Sequence, residues 1–333
     1  MKKLVIIILL CVTLTGCRSK KQSESFSDGA PTIIEENEES KVSGENKKSK
    51  AFEKNEGINT LEDNHDTKIL EGSSQDNLCD KNFETEKEFV NEDYSDLFRN
   101  FNGCAVVYDF ETDKYIVYNK KIAEKLYSPY STFKIVSTLI GLKNDVITDE
   151  NSKMNYNGAT YPIDEWNHDL SLREAFNSSC IWYFRQVIDE VGINEVQEEL
   201  DSLAYGNCDI SQWNGSNINP RDELNGFWLG SSLKISPMEQ VQVIKKIFGG
   251  DSIYTEKEIG ILRDVMLYDE VNGYSIYGKT GTNQNKEGWY VGIAEKDTQK
   301  YCFAVFMESE ESSQPATGSR ARDIVTSIFL TYE

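Results

Sequence analysis

The sequence predicts an α+β fold, with one antiparallel sheet and a helical lobe. Two observations carry that reading. Segments of strand character stand at both ends of the folded part: Cys104 to Phe110 and Lys114 to Tyr118 early, and Tyr274 to Lys279, Trp289 to Glu295 and Tyr301 to Met307 late. Between them, from Ser131 to about Met266, the chain reads mostly helical. Strands at both ends with helices inserted between them point to one sheet assembled from both ends of the domain. No internal repeat is visible.

The start of the chain has a different character. Lys2 and Lys3 precede the apolar run Leu4 to Leu14, which is too short to span a bilayer comfortably and reads as a secretory signal. It ends in Leu14-Thr15-Gly16-Cys17, which resembles a bacterial lipoprotein box. That resemblance implies that residues 1–16 are removed and that Cys17 becomes a lipidated membrane anchor on the extracytoplasmic side of the bacterial cell membrane. Residues 17–88 are rich in Ser, Glu, Asn and Lys, without a clear apolar period. Such a stretch buries too little apolar surface to offset its ordering entropy, and is expected to be a disordered charged tether. The folded domain is expected over 89–333, roughly 245 residues, enough for one large domain or two intimate lobes.

Within that domain, Glu92 to Phe101 reads as a short helix with Tyr94, Leu97, Phe98 and Phe101 on one face. The strands at 104–110 and 114–118 are joined by the turn Glu111-Thr-Asp113. Helices are then expected from Ser131, over Leu172 to Phe176, Ser179 to Val191, Val196 to Leu203, Ser236 to Phe248 and Thr255 to Met266. Ser236-Pro237 is a helix start with proline in the first turn. After the three late strands, Ser319 to Leu330 closes the chain as a helix.

Composition narrows the chemistry. A net charge of −21 argues against nucleic acid as a partner and against attraction to anionic lipid. Of seven cysteines, Cys11 lies in the signal, Cys17 at the anchor and Cys79 in the tether. Cys104, Cys180, Cys208 and Cys302 are widely spaced with no Cys-x-x-Cys pair, so no metal is expected and they read as small buried hydrophobes. A disulfide among them is chemically allowed outside the cell, but the sequence does not fix a pairing. There are only two histidines, His65 in the tether and His168 in a loop, and no Gly-x-Ser-x-Gly elbow. An activated serine would therefore draw on a base other than histidine.

The candidate is Ser131-Thr-Phe-Lys134. Three residues apart at a helix start, the two side chains share a face, and first-turn N–H groups favour developing negative charge. Two more clusters could complete a site: Asn177-Ser-Ser179-Cys-Ile181, and Lys279-Thr-Gly281 within Tyr277 to Asn283. The second of these offers a cation, a hydroxyl and a glycine that lets a ligand approach an extended backbone. A further pair is Tyr205-Gly-Asn207 with Phe227-Trp-Leu229.

In this order, Ser-x-x-Lys, Ser-x-x, Lys-Thr-Gly, the motifs resemble those of the penicillin-recognising serine enzymes, and most closely the class D β-lactamases. The resemblance runs from about Tyr94 to the C-terminus. It implies a β-lactamase/transpeptidase-like fold: a five-stranded antiparallel sheet with flanking helices, plus an all-helical lobe. It also implies hydrolysis of β-lactam antibiotics through a serine acyl-enzyme, and hence resistance to them. Matched residue by residue, Ser131 is similar to the nucleophile and Lys134 to the lysine that takes up carbon dioxide as a carbamate and acts as general base, so no separate cofactor is implied. Ile181 and Trp228 match the carbamate's supports, Ser179 a proton relay, and Lys279 a residue that binds the substrate carboxylate and tunes Ser179. Thr280 would touch the carboxylate, Gly281 would admit the ligand, and the N–H groups of Ser131 and Thr282 would form an oxyanion hole. Class D enzymes often add a carboxylate-binding arginine; Arg320 is the first candidate here and Arg322 the second. Lys279-Thr-Gly-Thr-Asn283 departs towards the D,D-transpeptidases and carboxypeptidases, whose second motif normally ends in Asn where this chain has Ile181. Non-hydrolysing β-lactam sensors also resemble the domain; they carry several membrane helices before it and tend to have a polar residue at the Ile181 position.

Overall fold

Strand-forming segments from the two ends of the domain meet in one sheet. A computed structural model of the protein describes residues 88–99, 101–309 and 313–332. The expected signal, the Cys17 anchor and the tether lie outside the described residues, except for Glu88, the first residue of β1.

In chain order the strands of the sheet are β1 (Glu88–Asn91), β2 (Asn102–Asp109), β3 (Lys114–Tyr118), β6 (Leu267–Val271), β7 (Tyr274–Asn283), β8 (Glu287–Lys296) and β9 (Gln299–Glu308). The short strands β4 (Lys153–Met154) and β5 (Leu170–Ser171) pair separately in the helical lobe. The large sheet runs β1-β3-β2-β9-β8-β7-β6. It has seven strands rather than the expected five, and it is mixed, because β1 lies parallel to β3 while the other neighbours are antiparallel. The two additional strands are the edges. Each is four or five residues long, with acidic residues that blur the alternation.

The join between the two ends is β2 against β9, where Asn102 through Asp109 face Glu308 through Tyr301. Alternate residues of β2 serve two cores. Cys104, Val106 and Tyr108 join the larger cluster with Trp289, Val291 and Phe306. Ala105 and Val107 join a second cluster with Tyr290, Phe303 and Val305. A strand with apolar residues on both faces needs cover on both faces. The helices α1 (Ser95–Phe98) and α9 (Gly318–Leu330) give residues to the second cluster. The first cluster continues into the helical lobe.

The remaining helices are α2 (Lys120–Ala123), α3 (Lys134–Lys143), α4 (Leu172–Asn177), α5 (Ile181–Val191), α6 (Ile193–Leu203), α7 (Pro237–Phe248) and α8 (Glu256–Met266). Starts of α4 and α7 are fixed by reciprocal capping boxes, Ser171 with Glu174 and Ser236 with Glu239, the latter with Pro237 in the first turn. The expected helix from Glu92 to Phe101 shortens to α1, because the chain turns at Arg99 with φ 52°. α3 is buried at every position from Lys134 to Leu142, as suits a helix apolar on nearly all sides. A 3₁₀ turn, Tyr130–Phe133, leads into it, so Ser131 stands in that turn rather than in the first α-helical turn. The turn leans on β7. A Cβ on Gly281 would meet Pro129 O and Thr132 Cγ2 at 3.3 Å, so glycine sets how closely the strand and the turn approach.

Candidate active site

The i, i+3 spacing delivers a direct contact. Lys134 Nζ donates to Ser131 Oγ at 2.9 Å. Ser131 is half-buried, while Lys134 is 0% exposed. Burial holds the Lys134 pKa well below the ordinary lysine value, and the positive charge of nearby Lys279 lowers it further, against a weaker opposing influence from Cys180. The amine also lies 5.4 Å from the centre of the Phe184 ring, on α5.

Lys279 reaches the same region from β7. It is 5% exposed, donates to its neighbour's carbonyl, Thr280 O, at 3.3 Å, and lies 5.6 Å over the Phe176 ring of α4. Ser179 occupies the junction of α4 and α5. Its backbone is left-handed, φ 57°, and its N–H donates to Phe176 O at 3.2 Å. The expected helix from Ser179 therefore starts two residues later, at Ile181. The junction is held from outside by Trp166, whose indole N–H donates to Ser178 O at 3.0 Å. Cys180 is buried beside Lys134, and its thiol is pushed up to about 12, chiefly by burial.

Trp228 approaches from the loop after α6. Its indole is 5.5 Å from the Phe133 ring and 5.0 Å from the Phe227 ring, and its carbonyl accepts from Tyr130 N at 3.1 Å. The indole is buried, yet its Nε1–H has no hydrogen-bond partner among the described residues. A buried orphan donor is costly and marks a place where a polar group is expected.

The Tyr205-Gly-Asn207 motif supports the site from behind. Asn207 N donates to Lys234 O and Lys234 N to Asn207 Oδ1, both at 2.9 Å. Gly206 has φ 57°, and an added Cβ would fall 1.9 Å from Lys234 O. The strand-like segment so held pairs at Ile235 with Tyr127, at 3.0 and 2.8 Å, just before the nucleophile turn. Gln240 on α7 completes the brace by donating to Thr132 Oγ1 at 2.9 Å.

The structure therefore gathers Ser131, Lys134, Lys279 and the segment around Cys180, with Trp228 one ring away through Phe133. Thr280, Gly281 and Thr282 follow Lys279 on β7, where Thr282 Oγ1 accepts from Gly318 N at 2.9 Å. Arg320 lies two residues beyond Gly318, which adjoins Thr280 and Gly281. It is exposed on the first turn of α9, with its guanidinium 5.2 Å over Phe101, which packs on the second core across the sheet. Arg322 is half-buried on the same helix. His168 is exposed in its loop. Cys104, Cys180, Cys208 and Cys302 are all buried and none forms a disulfide. Among the described residues, no group of three or more His, Cys, Asp or Glu could hold a metal ion, and no helix is long and apolar enough to cross a membrane. The rings of Phe176 and Phe184 face the lysine pair; the sequence offers no signal for Phe176, while Phe184 ends the Asn177 to Phe184 cluster without a role of its own.

A site with a serine in contact with a buried amine, beside the lysine-bearing strand β7, has parts that acyl transfer through a serine ester can use. Comparison with known proteins places it more narrowly. Residues 103–329 match the penicillin binding protein transpeptidase domain, and the chain belongs to that family. It is 31% identical over 239 residues to the probable β-lactamase YbxI of Bacillus subtilis, covering 71% of this chain and 83% of that protein. It is 35% identical over 244 residues to the regulatory protein BlaR1 of Bacillus licheniformis, covering 72% of this chain but 38% of that protein. A crystal structure of a class D β-lactamase from Bacillus subtilis superposes with a TM-score of 0.64 at 31% identity, covering 72% of this chain and 95% of that one. The α+β fold is thus the one shared by class D β-lactamases, and β-lactam binding fits the family.

Proposed function

We propose that this chain hydrolyses β-lactam antibiotics through an acyl-enzyme on Ser131, in the manner of a class D β-lactamase, and so gives β-lactam resistance. The observation that carries the reading is the fully buried Lys134, with Nζ 2.9 Å from Ser131 Oγ. An ammonium ion cannot accept a proton; a lysine kept neutral by burial can. Lys134 takes the hydroxyl proton as Ser131 Oγ attacks the lactam carbonyl. The N–H groups of Ser131 and Thr282 stabilise the oxyanion, the C–N bond breaks, and a proton passes to the ring nitrogen by way of Ser179 and Lys279. Water then attacks the ester carbonyl and Ser131 leaves with a proton. Positioned acid–base groups of this kind contribute roughly 10²–10⁴-fold each.

Carbon dioxide held as a carbamate on Lys134 would supply an anionic base, with Ile181 and Trp228 around it. The residues present fit that group: Lys134 is buried with a lowered pKa, and the Trp228 Nε1–H lacks a partner. The substrate carboxylate would be met by Lys279, Thr280 and Thr282. Arg320, over Phe101, is left out of this scheme. Lipidation at Cys17 would anchor the enzyme outside the cell membrane.

The test is sustained turnover of a penicillin and a chromogenic cephalosporin, with and without bicarbonate. Many turnovers, stimulated by bicarbonate and lost in Ser131→Ala, are expected. A single burst that leaves a stable adduct would instead assign the chain to the sensor or transpeptidase mode. The similarity to BlaR1 makes the sensor the leading second reading.

A further inference from the structure

Arg185 lies one turn after Ile181 on α5 and is 6% exposed. Its guanidinium grips Asp189 as a fork, Nε to Oδ2 at 2.8 Å and Nη2 to Oδ1 at 2.5 Å. It also donates from Nη1 to Trp213 O at 2.6 Å and from Nη2 to Asn214 Oδ1 at 3.1 Å. Trp213 closes the cycle. Its Nε1 donates to Asp189 Oδ1 at 3.0 Å, and its ring lies 5.3 Å from the guanidinium carbon. Such planar, bidentate and stacked contacts fix a side chain more firmly than a point charge does.

A line of aromatic rings runs inward from this clamp. Trp213 stacks on Phe227 at 5.3 Å and 29°, and Phe227 stands edge-on to Trp228 at 5.0 Å and 80°. Trp228 lies on Phe133, the residue before Lys134. The helix that starts at Ile181 therefore also pins, four residues on, the loop that delivers Trp228. Residues i and i+4 share a helix face, so one element governs both supports of the lysine pocket.

We propose that Arg185 and Trp213 are positioning residues that hold Trp228, through Phe227, with its indole N–H directed to the group that Lys134 carries as a carbamate. This rests on the carboxylation of Lys134 put forward above. A loop without such a clamp would let the indole drift, and a donor displaced by about 1 Å loses most of its hydrogen bond.

The experiment is a titration of the full chain with ¹³C-bicarbonate, reading the carbamate carbon by ¹³C NMR. Trp213→Ala should raise the half-saturating bicarbonate concentration by about tenfold, the equivalent of one modest hydrogen bond. Trp213→Phe keeps a ring against Phe227 and should stay within about twofold of the wild type. Thermal unfolding monitors the fold of each variant, and Arg185→Gln replaces Trp213→Ala if the latter does not fold. A general structural weakening would lower the melting temperature without moving the half-saturation point. An unchanged half-saturation in a folded Trp213→Ala or Arg185→Gln overturns the clamp and leaves the carbamate standing. Absence of any carbamate signal in the wild type overturns the carboxylation and the clamp with it.

Discussion

Replacing Lys134 by methionine should stabilise the protein at neutral pH while abolishing its chemistry. Lys134 is 0% exposed, and its pKa is lowered first by burial and then by the charge of Lys279. In the unfolded chain the same lysine titrates near 10.5. Between the two values the unfolded state binds more protons, so wild-type stability rises with pH across that interval. Below the folded-state value the penalty is complete; above about 10.5 it is gone. Each unit of depression costs about 1.4 kcal/mol, and about 1 kcal/mol moves the melting temperature of a domain of this size by about 2–4 °C. Methionine keeps the stem and brings no charge, so the variant should melt higher than the wild type near pH 7. That advantage should shrink steadily towards pH 10. The comparison between pH values is the informative one, because the lost contact with Ser131 and any packing change affect both equally. Thermal or urea unfolding in degassed, bicarbonate-free buffer provides the assay. A stability difference that is independent of pH would refute the claim that Lys134 is an electrostatic burden, and with it the account of how the amine becomes a base.

Two other substitutions test the supports of the site. Gly206→Ala places a methyl 1.9 Å from Lys234 O at a residue with φ 57°, and the clash adds to the left-handed penalty of about 1–2 kcal/mol. A loss of more than about 3 kcal/mol is expected, read as a fall in the urea midpoint; a normal midpoint would mean that the segment behind the nucleophile turn yields easily. Glu199 is 4% exposed on α6, pairs with Lys143 of α3, and accepts from the buried Tyr254 hydroxyl. Glu199→Ala strands that hydroxyl, while half-exposed Lys143 can turn to water, so a loss of about 2 kcal/mol is expected. A change under about 0.5 kcal/mol would show that α3, α6 and the turn before α8 do not depend on this junction.

Much of the fold was legible because its strands are long and its helix starts are chemically marked. β3 falls at Lys114–Tyr118 as the alternation implies, and Ser236-Pro237 does start α7. The edge strands were not legible, since Leu267–Val271 is short and carries two acids beside a helix end. At the site, Ser131 and Lys134 were readable because three residues within one turn settle their own geometry. Arg320 is less readable, because any role depends on which way a long side chain turns. α9 does begin beside Thr282, yet the Arg320 guanidinium lies over Phe101, a contact that its spacing from the last strand does not give. Arg185 and Trp213 were invisible as a pair, being 28 residues apart and joined through a loop.

The chain is similar both to a probable β-lactamase and to a regulatory protein, and the proposed mechanism accommodates both, because its first step would need little of this site. In the proposed mechanism acylation would draw on Ser131, a neutral Lys134 and an oxyanion hole, and a member with these could form the ester. Hydrolysis asks more, because a base must be ready again while the ester occupies the pocket. Once protonated, Lys134 faces Lys279 from a site that disfavours its charge, so it is pressed to pass the proton on rather than keep it. In the proposed mechanism that pressure would reset the base and so serve turnover rather than capture. The buried N–H of Trp228 has no partner among the described residues, a cost of about 1–3 kcal/mol that the proposed carbamate would relieve. On this proposal the fate of the ester would be set by the pocket around the lysine more than by the serine that both outcomes share.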